Sequence, residues 1–317
     1  MSHQFSSTKQ FTAYAPGSIG NVGPGFDVLG LAVDGIGDRV SVTLTKRESR
    51  VESIVGRDAA LVPLNPARNC AAIAANAYLL PYGYRAIVSI DKGLALAGGM
   101  GGSAASSVAG AYAAALALGQ APTQRDILAA ALEGESALSG CHLDNIAPSV
   151  VGGLALCRSV DPIDVVKLPV AADWWIALVT PDVRIRTKEA RALLPDLTER
   201  ATWIQQMANT TALAHAFAIG DGALLGRALD DRYAEPRRAP LIPHFYEMKK
   251  AALDAGAFGC SISGSGPTLF AIAPDAATAT ECAAAMQRAF DGPATQHVGA
   301  IAKEGVRPER GTKSDEH

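Results

Sequence analysis

Apolar residues recur along this chain at two spacings. Where Val, Ile, Leu and Thr cluster or alternate with polar positions, an extended strand is predicted; where Ala and Leu persist over ten residues or more, a helix is predicted. Strands are expected over 11–15, 27–33, 39–45, 51–55, 86–91, 152–158 and 165–168. Helices are expected over 69–80, capped by Asn69, and over 103–118 and 124–138. Beyond a composition shift near Pro169, the pattern predicts strands at 174–180, 260–263, 268–272 and 295–301, and helices at 188–194, 198–219, 245–255 and 276–290. Strands and helices interleave, but several strand pairs are joined as tightly as hairpins, so the class is α+β rather than an all-parallel sheet. The domains expected are 1–168 and 169–305, with mobile tails at 1–9 and 306–317 and no internal repeat.

Composition narrows the function classes. Hydrophobic residues make up 49% and charged residues 19%, enough to bury a sizeable core. A net charge of −3 and 6% aromatic residues give no basic, aromatic-studded face for nucleic acid. Glycines and charges interrupt every apolar run before a membrane span accumulates, and Met1 to Gln10 is too polar for a secretory signal. The five cysteines are scattered, with no C-x-x-C pair, which suits reduced thiols in a cytoplasmic protein better than a disulfide framework or a zinc site.

Three glycine-dense segments carry the candidate chemistry. The first runs from Ala15 to Asp27, where four glycines and two prolines shape a loop presenting Asn21 and Asp27. The same residues would also serve a turn that satisfies only its own backbone. The second is Gly98-Gly99-Met100-Gly101-Gly102-Ser103 before the Ala-rich helix. Glycines let backbone N–H groups approach an anion, and a helix offers its positive end. Ser103, in the first turn, is within reach of a phosphate-held metal; a tight strand-to-helix turn explains the glycines equally well. The third, Cys260 to Leu269, is a second glycine-and-serine turn, able to brace the first or to serve as a hairpin connection. Gly99-x-Gly101-x-x-Ala104 matches the dinucleotide fingerprint formally, but it lies too far from its strand and lacks the following acidic residue. Walker A needs a Gly-Lys pair, which this chain lacks. Glu135 is a hard-oxygen ligand suited to Mg2+, or else a solvated helix glutamate. Thr187 is expected at a helix N-cap with Arg191 one turn on, and Arg238 adds a second guanidinium able to grip a carboxylate.

In this order the segments resemble the GHMP kinase superfamily, whose three hallmarks are similar to 16–27, 95–105 and 261–268. Within it, Gly20 to Asp27, His142-Leu143-Asp144-Asn145-Ile146-Ala147-Pro148, Thr187-Lys188-Glu189-Ala190-Arg191 and Glu235-Pro236-Arg237-Arg238 resemble the homoserine kinase family. Several motifs in one order are far more specific than any one. The resemblance implies a two-domain fold, with a ribosomal protein S5 domain 2-like N-terminal domain and a ferredoxin-like C-terminal domain. It implies ATP on Ala95, Ala97, Gly98, Gly99, Met100, Gly101, Gly102, Ser103, Ala104 and Ala105, with Gly264 and Ser265 alongside, and Mg2+ on Ser103 and Glu135. L-Homoserine, an intermediate of threonine biosynthesis, would be held by Asn21, Asp27, Asn145, Arg191 and Arg238, with Asn145, Thr187 and Arg191 at the reacting groups. Asp144 is the nearby carboxylate to test as a base, although a turn-forming role also explains it. A homodimer is implied too. The cradle departs from the family pattern at Ala95, Met100 and Gly102, where Pro, Leu and Ser are usual. Other small alcohols as acceptors, and a non-catalytic ligand-binding relative, are the rival readings.

Overall fold

The computed structural model describes residues 9–137 and 140–309. Most of both expected tails, and the expected helix end at Leu138, lie outside the described residues. In chain order the first part comprises β1 (Phe11–Gly20), β2 (Leu29–Thr45), β3 (Arg50–Gly56), α1 (Cys70–Leu79), β4 (Arg85–Lys92), α2 (Gly102–Ala117), α3 (Gln124–Ser136), α4 (Ile146–Val151), β5 (Leu154–Ser159) and β6 (Asp164–Leu168). The second comprises β7 (Trp175–Pro181), α5 (Thr187–Ala192), α6 (Arg200–Ile219), α7 (Gly222–Ala228), α8 (Glu235–Arg238), α9 (Phe245–Asp254), β8 (Gly259–Ile262), β9 (Leu269–Ala273), α10 (Ala276–Phe290), β10 (Ala294–Ala300) and β11 (Arg307–Glu309). One sheet has the order β11-β1-β2-β4-β3, with β5 pairing the start of β2 and β6 pairing β5. The other has the order β10-β7-β9-β8 and is antiparallel throughout. In the first sheet β3 and β4 pair parallel. The α+β class follows from this mixture.

Alternation sets which faces are buried. Ala86, Val88 and Ile90 of β4, and Val40 and Val42 of β2, point into one core with the three helices α1, α2 and α3. α2 carries almost nothing larger than a methyl group on its buried surface, so its neighbours come very close. A Cβ on Gly110 would stand 2.6 Å from the Ala71 carbonyl oxygen. A Cβ on Gly134 of α3 would stand 2.6 Å from the Cys70 carbonyl oxygen and from Ser107 Oγ. This close packing of small residues brings the end of α3, and with it Glu135, to the first turns of α2.

Several expectations are corrected. The two strands expected at 27–33 and 39–45 are one bent strand, β2, because 34–36 are absorbed as a bulge opposite Pro16 and Gly17, with Gly35 at φ 76°. Proline is tolerated at such a bulge, so β1 runs on to Gly20 where a loop was expected. The short helices α4, α7 and α8 were not expected, since four to seven residues are too few to display a helical period. Thr187 is the first helical residue of α5, with Arg186 at the cap position. Finally, Arg307–Glu309, assigned to a tail, is a strand paired with β1, held by Arg39 to Glu309 at 2.7 Å and by Arg307 stacked 4.5 Å from the Tyr14 ring.

Gly110 gives a test of the close helix packing. Alanine is the better helix former by about 1 kcal/mol. The encounter with the Ala71 carbonyl should reverse that sign, so Gly110→Ala is expected to lose about 1–3 kcal/mol in urea unfolding; a stabilised variant would show that α1 and α2 can separate without cost.

Candidate active site

The three glycine-rich segments fold onto one another. Thr268 Oγ1 donates to the Gly98 carbonyl, Ser263 Oγ donates to the Gly99 carbonyl at 2.6 Å, and the Ser18 N–H donates to the Met100 carbonyl at 3.1 Å. The next carbonyl, of Gly101, accepts from the Ala105 N–H at 2.8 Å, and that of Gly102 accepts from Lys92 Nζ at 3.0 Å. With its acceptors held behind it, the turn presents its donors: among the described residues nothing accepts from the N–H groups of Gly101, Gly102, Ser103 or Ala104. Gly99 and Gly101 sit at φ 77° and 64°, where a side chain is strained, and a Cβ on Gly101 would crowd Ser18 Oγ. The result is an anion cradle at the start of α2.

A cavity of about 420 Å³ opens over this cradle. Its other wall is built by loop 21–28, α4, α5 and α8. Asn21 fixes that loop, its Nδ2 donating to the Gly264 carbonyl at 3.1 Å and its Oδ1 accepting from the Asp27 N–H at 3.0 Å. From α6, Gln206 and Thr210 both donate to the Pro24 carbonyl, at 2.8 and 2.9 Å. Arg191 of α5 grips Asp27 with both prongs, at 2.9 and 2.7 Å. Arg238 of α8 is buried and donates to the Gly264 carbonyl at 2.7 Å, while its Nε has no partner among the described residues. Both guanidinium groups lie over the Phe26 ring, at 5.1 and 5.3 Å from its centre. Burial, and then the neighbouring Arg191 charge, hold Arg238 below its usual value. Burial also lowers the His142 imidazole, partly offset by Asp27, whose carboxylate lies 3.6 Å from Nδ1. Asp144 is buried beneath the loop, accepting the Asn21 N–H at 3.1 Å. Asn145 accepts from Ser18 Oγ at 3.0 Å through its side-chain oxygen.

Most of the residues singled out from the sequence line this one cavity: Asn21, Asp27, Ala95, Ala97, Gly98, Gly99, Gly101, Gly102, Ser103, Glu135, Asn145, Thr187, Arg191, Arg238, Gly264 and Ser265. Met100, Ala104 and Ala105, expected in the cofactor set, do not; their side chains are core. Arg191 was expected to meet a substrate carboxylate, but Asp27 already engages both its terminal nitrogens. Asn21 faces the cavity with its amide engaged in holding the loop. The Ser103 hydroxyl and the Glu135 carboxylate both border the cavity, the hard-oxygen donors that Mg2+ prefers.

Sequence reasoning missed what lies beneath. Lys92, Asp38 and Ser106 form a buried network behind the cradle. Breaking such a pair by removing one partner typically costs about 3–5 kcal/mol. The signal was available: Lys92 continues the inward series Ala86, Val88, Ile90, and Asp38 precedes Val40 and Val42 on the same face. Asp231 was also missed. Its carboxylate accepts the N–H groups of Tyr233, Ala234 and Glu235 at 2.8, 3.0 and 2.8 Å and so sets the start of α8.

The chain is similar to known proteins over most of its length. Residues 66–153 match the model described as the GHMP kinases N terminal domain, and 213–292 the one described as GHMP kinases C terminal. A homoserine kinase of Chlorobium phaeobacteroides (strain BS1) is 39% identical over 296 residues, covering 89% of this chain and 92% of that one. The Arabidopsis thaliana homoserine kinase is 42% identical over 278 residues, covering 84% of this chain and 74% of its own. The crystal structure of homoserine kinase from Cytophaga hutchinsonii superposes with a TM-score of 0.88 at 39% identity, covering 97% of this chain and 100% of that one.

Asp144 supplies a pH test. Burial, and after it the Asp27 charge, push its carboxyl up to about 7 from an ordinary 3.8. The folded state therefore takes up the proton first. The stability this contributes is complete below the unfolded value and is lost as pH rises through about 7. Asp144→Asn is expected to raise the thermal midpoint relative to the parent more at pH 8 than at pH 5. A difference independent of pH would mean that the carboxyl titrates as in water.

Proposed function

Because the chain belongs to the homoserine kinases of the GHMP kinase family, we infer that it transfers the terminal phosphoryl group of ATP to the side-chain hydroxyl of L-homoserine. The observation that carries this reading is a single cavity with two kinds of wall. One offers backbone N–H groups to a triphosphate. The other offers carboxylates and guanidinium groups together, which suits a small zwitterion with an ammonium and a carboxylate.

In this reading the turn 98–103 takes the phosphates, with Gly264 and Ser265 closing over them. Ser103 and Glu135 would hold Mg2+, which when bound offsets phosphate charge. Asp27 and Asp144 attract the acceptor's ammonium. Arg238, with an unpartnered buried Nε, takes the carboxylate, and Arg191 is held by Asp27 beside it. Ser18 holds the Asn145 side-chain oxygen, which leaves the Asn145 NH2 as the group that would donate to the acceptor hydroxyl. Thr187, 3.5 Å from Ser265 Oγ, lies beside the same groups. The hydroxyl oxygen bonds to the terminal phosphorus as the bond to the bridging oxygen breaks, and ADP departs with that oxygen. The hydroxyl proton leaves to water or through Asp144. Positioning and charge stabilisation, rather than a strong base, carry such a transfer.

ADP release from Mg-ATP, coupled to a chromogenic readout, should respond to L-homoserine and not to L-serine, L-threonine, mevalonate or galactose. Turnover with another member of the set would move the acceptor assignment, and silence with all five would favour a ligand-binding relative without activity. Glu135→Gln should keep the circular dichroism spectrum and lose at least about 100-fold in turnover; unchanged activity would remove Glu135 from the metal role.

A further inference from the structure

We propose that the buried Lys92–Asp38 pair is a charge-bearing positioning element for the nucleotide's phosphate chain, an inference that rests on ATP occupying the cradle. The two residues sit on the core faces of adjacent antiparallel strands. Arg39 of β2 pairs with Asp91 of β4, so Asp38 and Lys92 face each other at the next position. At that position β4 ends and the chain leads on to the cradle.

The hydrogen bonds divide the pair into a back and a front. Asp38 Oδ1 accepts the N–H groups of Gly93 and Leu94 at 3.0 and 3.1 Å, which fixes the strand exit leading to the cradle. Its Oδ2 accepts from Lys92 and, at 2.6 Å, from Ser106 Oγ. Lys92 Nζ also donates to the Gly102 carbonyl and to Ser106 Oγ, both at 3.0 Å. Lys92 borders the cavity and Asp38, at 0% exposure, does not. The pair is therefore neutral in sum but polarised, with its positive end against the first turn of α2 and adding to the field of the helix terminus.

Stability alone gives no reason for charges here. Apolar residues would continue both inward series, and a buried ion pair is often no more stable than well-packed hydrophobic residues. All three N–H groups of Lys92 are engaged, so it acts on the phosphates through its field and through the turn it holds, without touching them. Its influence should grow with the number of phosphates bound.

The test compares binding of AMP, ADP and ATP without metal, by calorimetry, together with KM for ATP and for L-homoserine. In the double variant Asp38→Asn, Lys92→Met no charge is left uncompensated, and the amide oxygen that replaces the carboxylate still accepts from the Gly93 and Leu94 N–H groups. It should bind ATP about fivefold more weakly, AMP as the parent does, and homoserine with unchanged KM. Equal weakening of all three nucleotides, or none, would overturn the proposal. Asp38→Asn alone keeps the ammonium, which borders the cavity and can be hydrated from it. With its circular dichroism spectrum matching the parent's, that variant should bind ATP at least as tightly as the parent, and a loss there would also sink the idea. If the parent itself binds no ATP, the nucleotide reading fails and this proposal falls with it, an outcome distinct from equal weakening of all three nucleotides in the variant.

Discussion

The site depends on one constraint: the carbonyls of a glycine-rich turn must be held from behind if its N–H groups are to face a ligand. A turn of this composition has many conformations open to it. Here the successive carbonyls of Gly98, Gly99 and Met100 are claimed by Thr268, Ser263 and Ser18, residues from two distant stretches of chain, the β8–β9 turn of one sheet and β1 of the other. The donors that remain are thereby aimed outward before any ligand arrives, and the entropy of ordering them is lost during folding rather than during binding. The same arrangement explains why all three glycine-rich segments are needed at once, since each supplies either the cradle or the hands that hold it.

The opposite wall of the cavity follows a different logic, one of charge balance in a restricted space. Two guanidinium groups stacked over the Phe26 ring would repel each other, and Asp27 offsets one of them with a two-pronged bond. What is left over on this wall is one buried cation, Arg238, and one buried carboxyl, Asp144. The Asn21 amide joins the two halves by tying loop 21–28 to Gly264.

Much of this was legible in the sequence, and the parts that were not share a cause. Long periodic segments such as α2, α6 and α10 declared themselves. So did the glycine-rich turns, because few other structures need that composition. The bent strand β2 was read as two because Asp34 and Gly35 look like a turn until a partner strand with Pro16 and Gly17 shows them to be a bulge. Short helices such as α8 are set by a carboxylate just upstream, Asp231, rather than by any period of their own. Lys92 and Asp38 were readable in principle, as charges on otherwise apolar faces. Their meaning required knowing that the two strands are neighbours. Likewise Arg191 could be named from its motif, but that Asp27 occupies its fork is a fact about loops far apart in the chain.

β11 carries a consequence for how the molecule is made. Arg307–Glu309 closes the open edge of β1, and on the way the Val306 N–H bonds to the Ser149 carbonyl at 2.8 Å, within α4. The first sheet thus takes its final strand from the far end of the chain, after the entire second sheet has intervened. A ribosome delivers β1 long before β11, so during synthesis the N-terminal sheet must wait with an unpaired edge, the kind of surface on which strands of other chains can add. The helix that follows Asp144 and Asn145 acquires its support from Val306 at the same late moment, which ties the finishing of the site to the synthesis of residues 306–309.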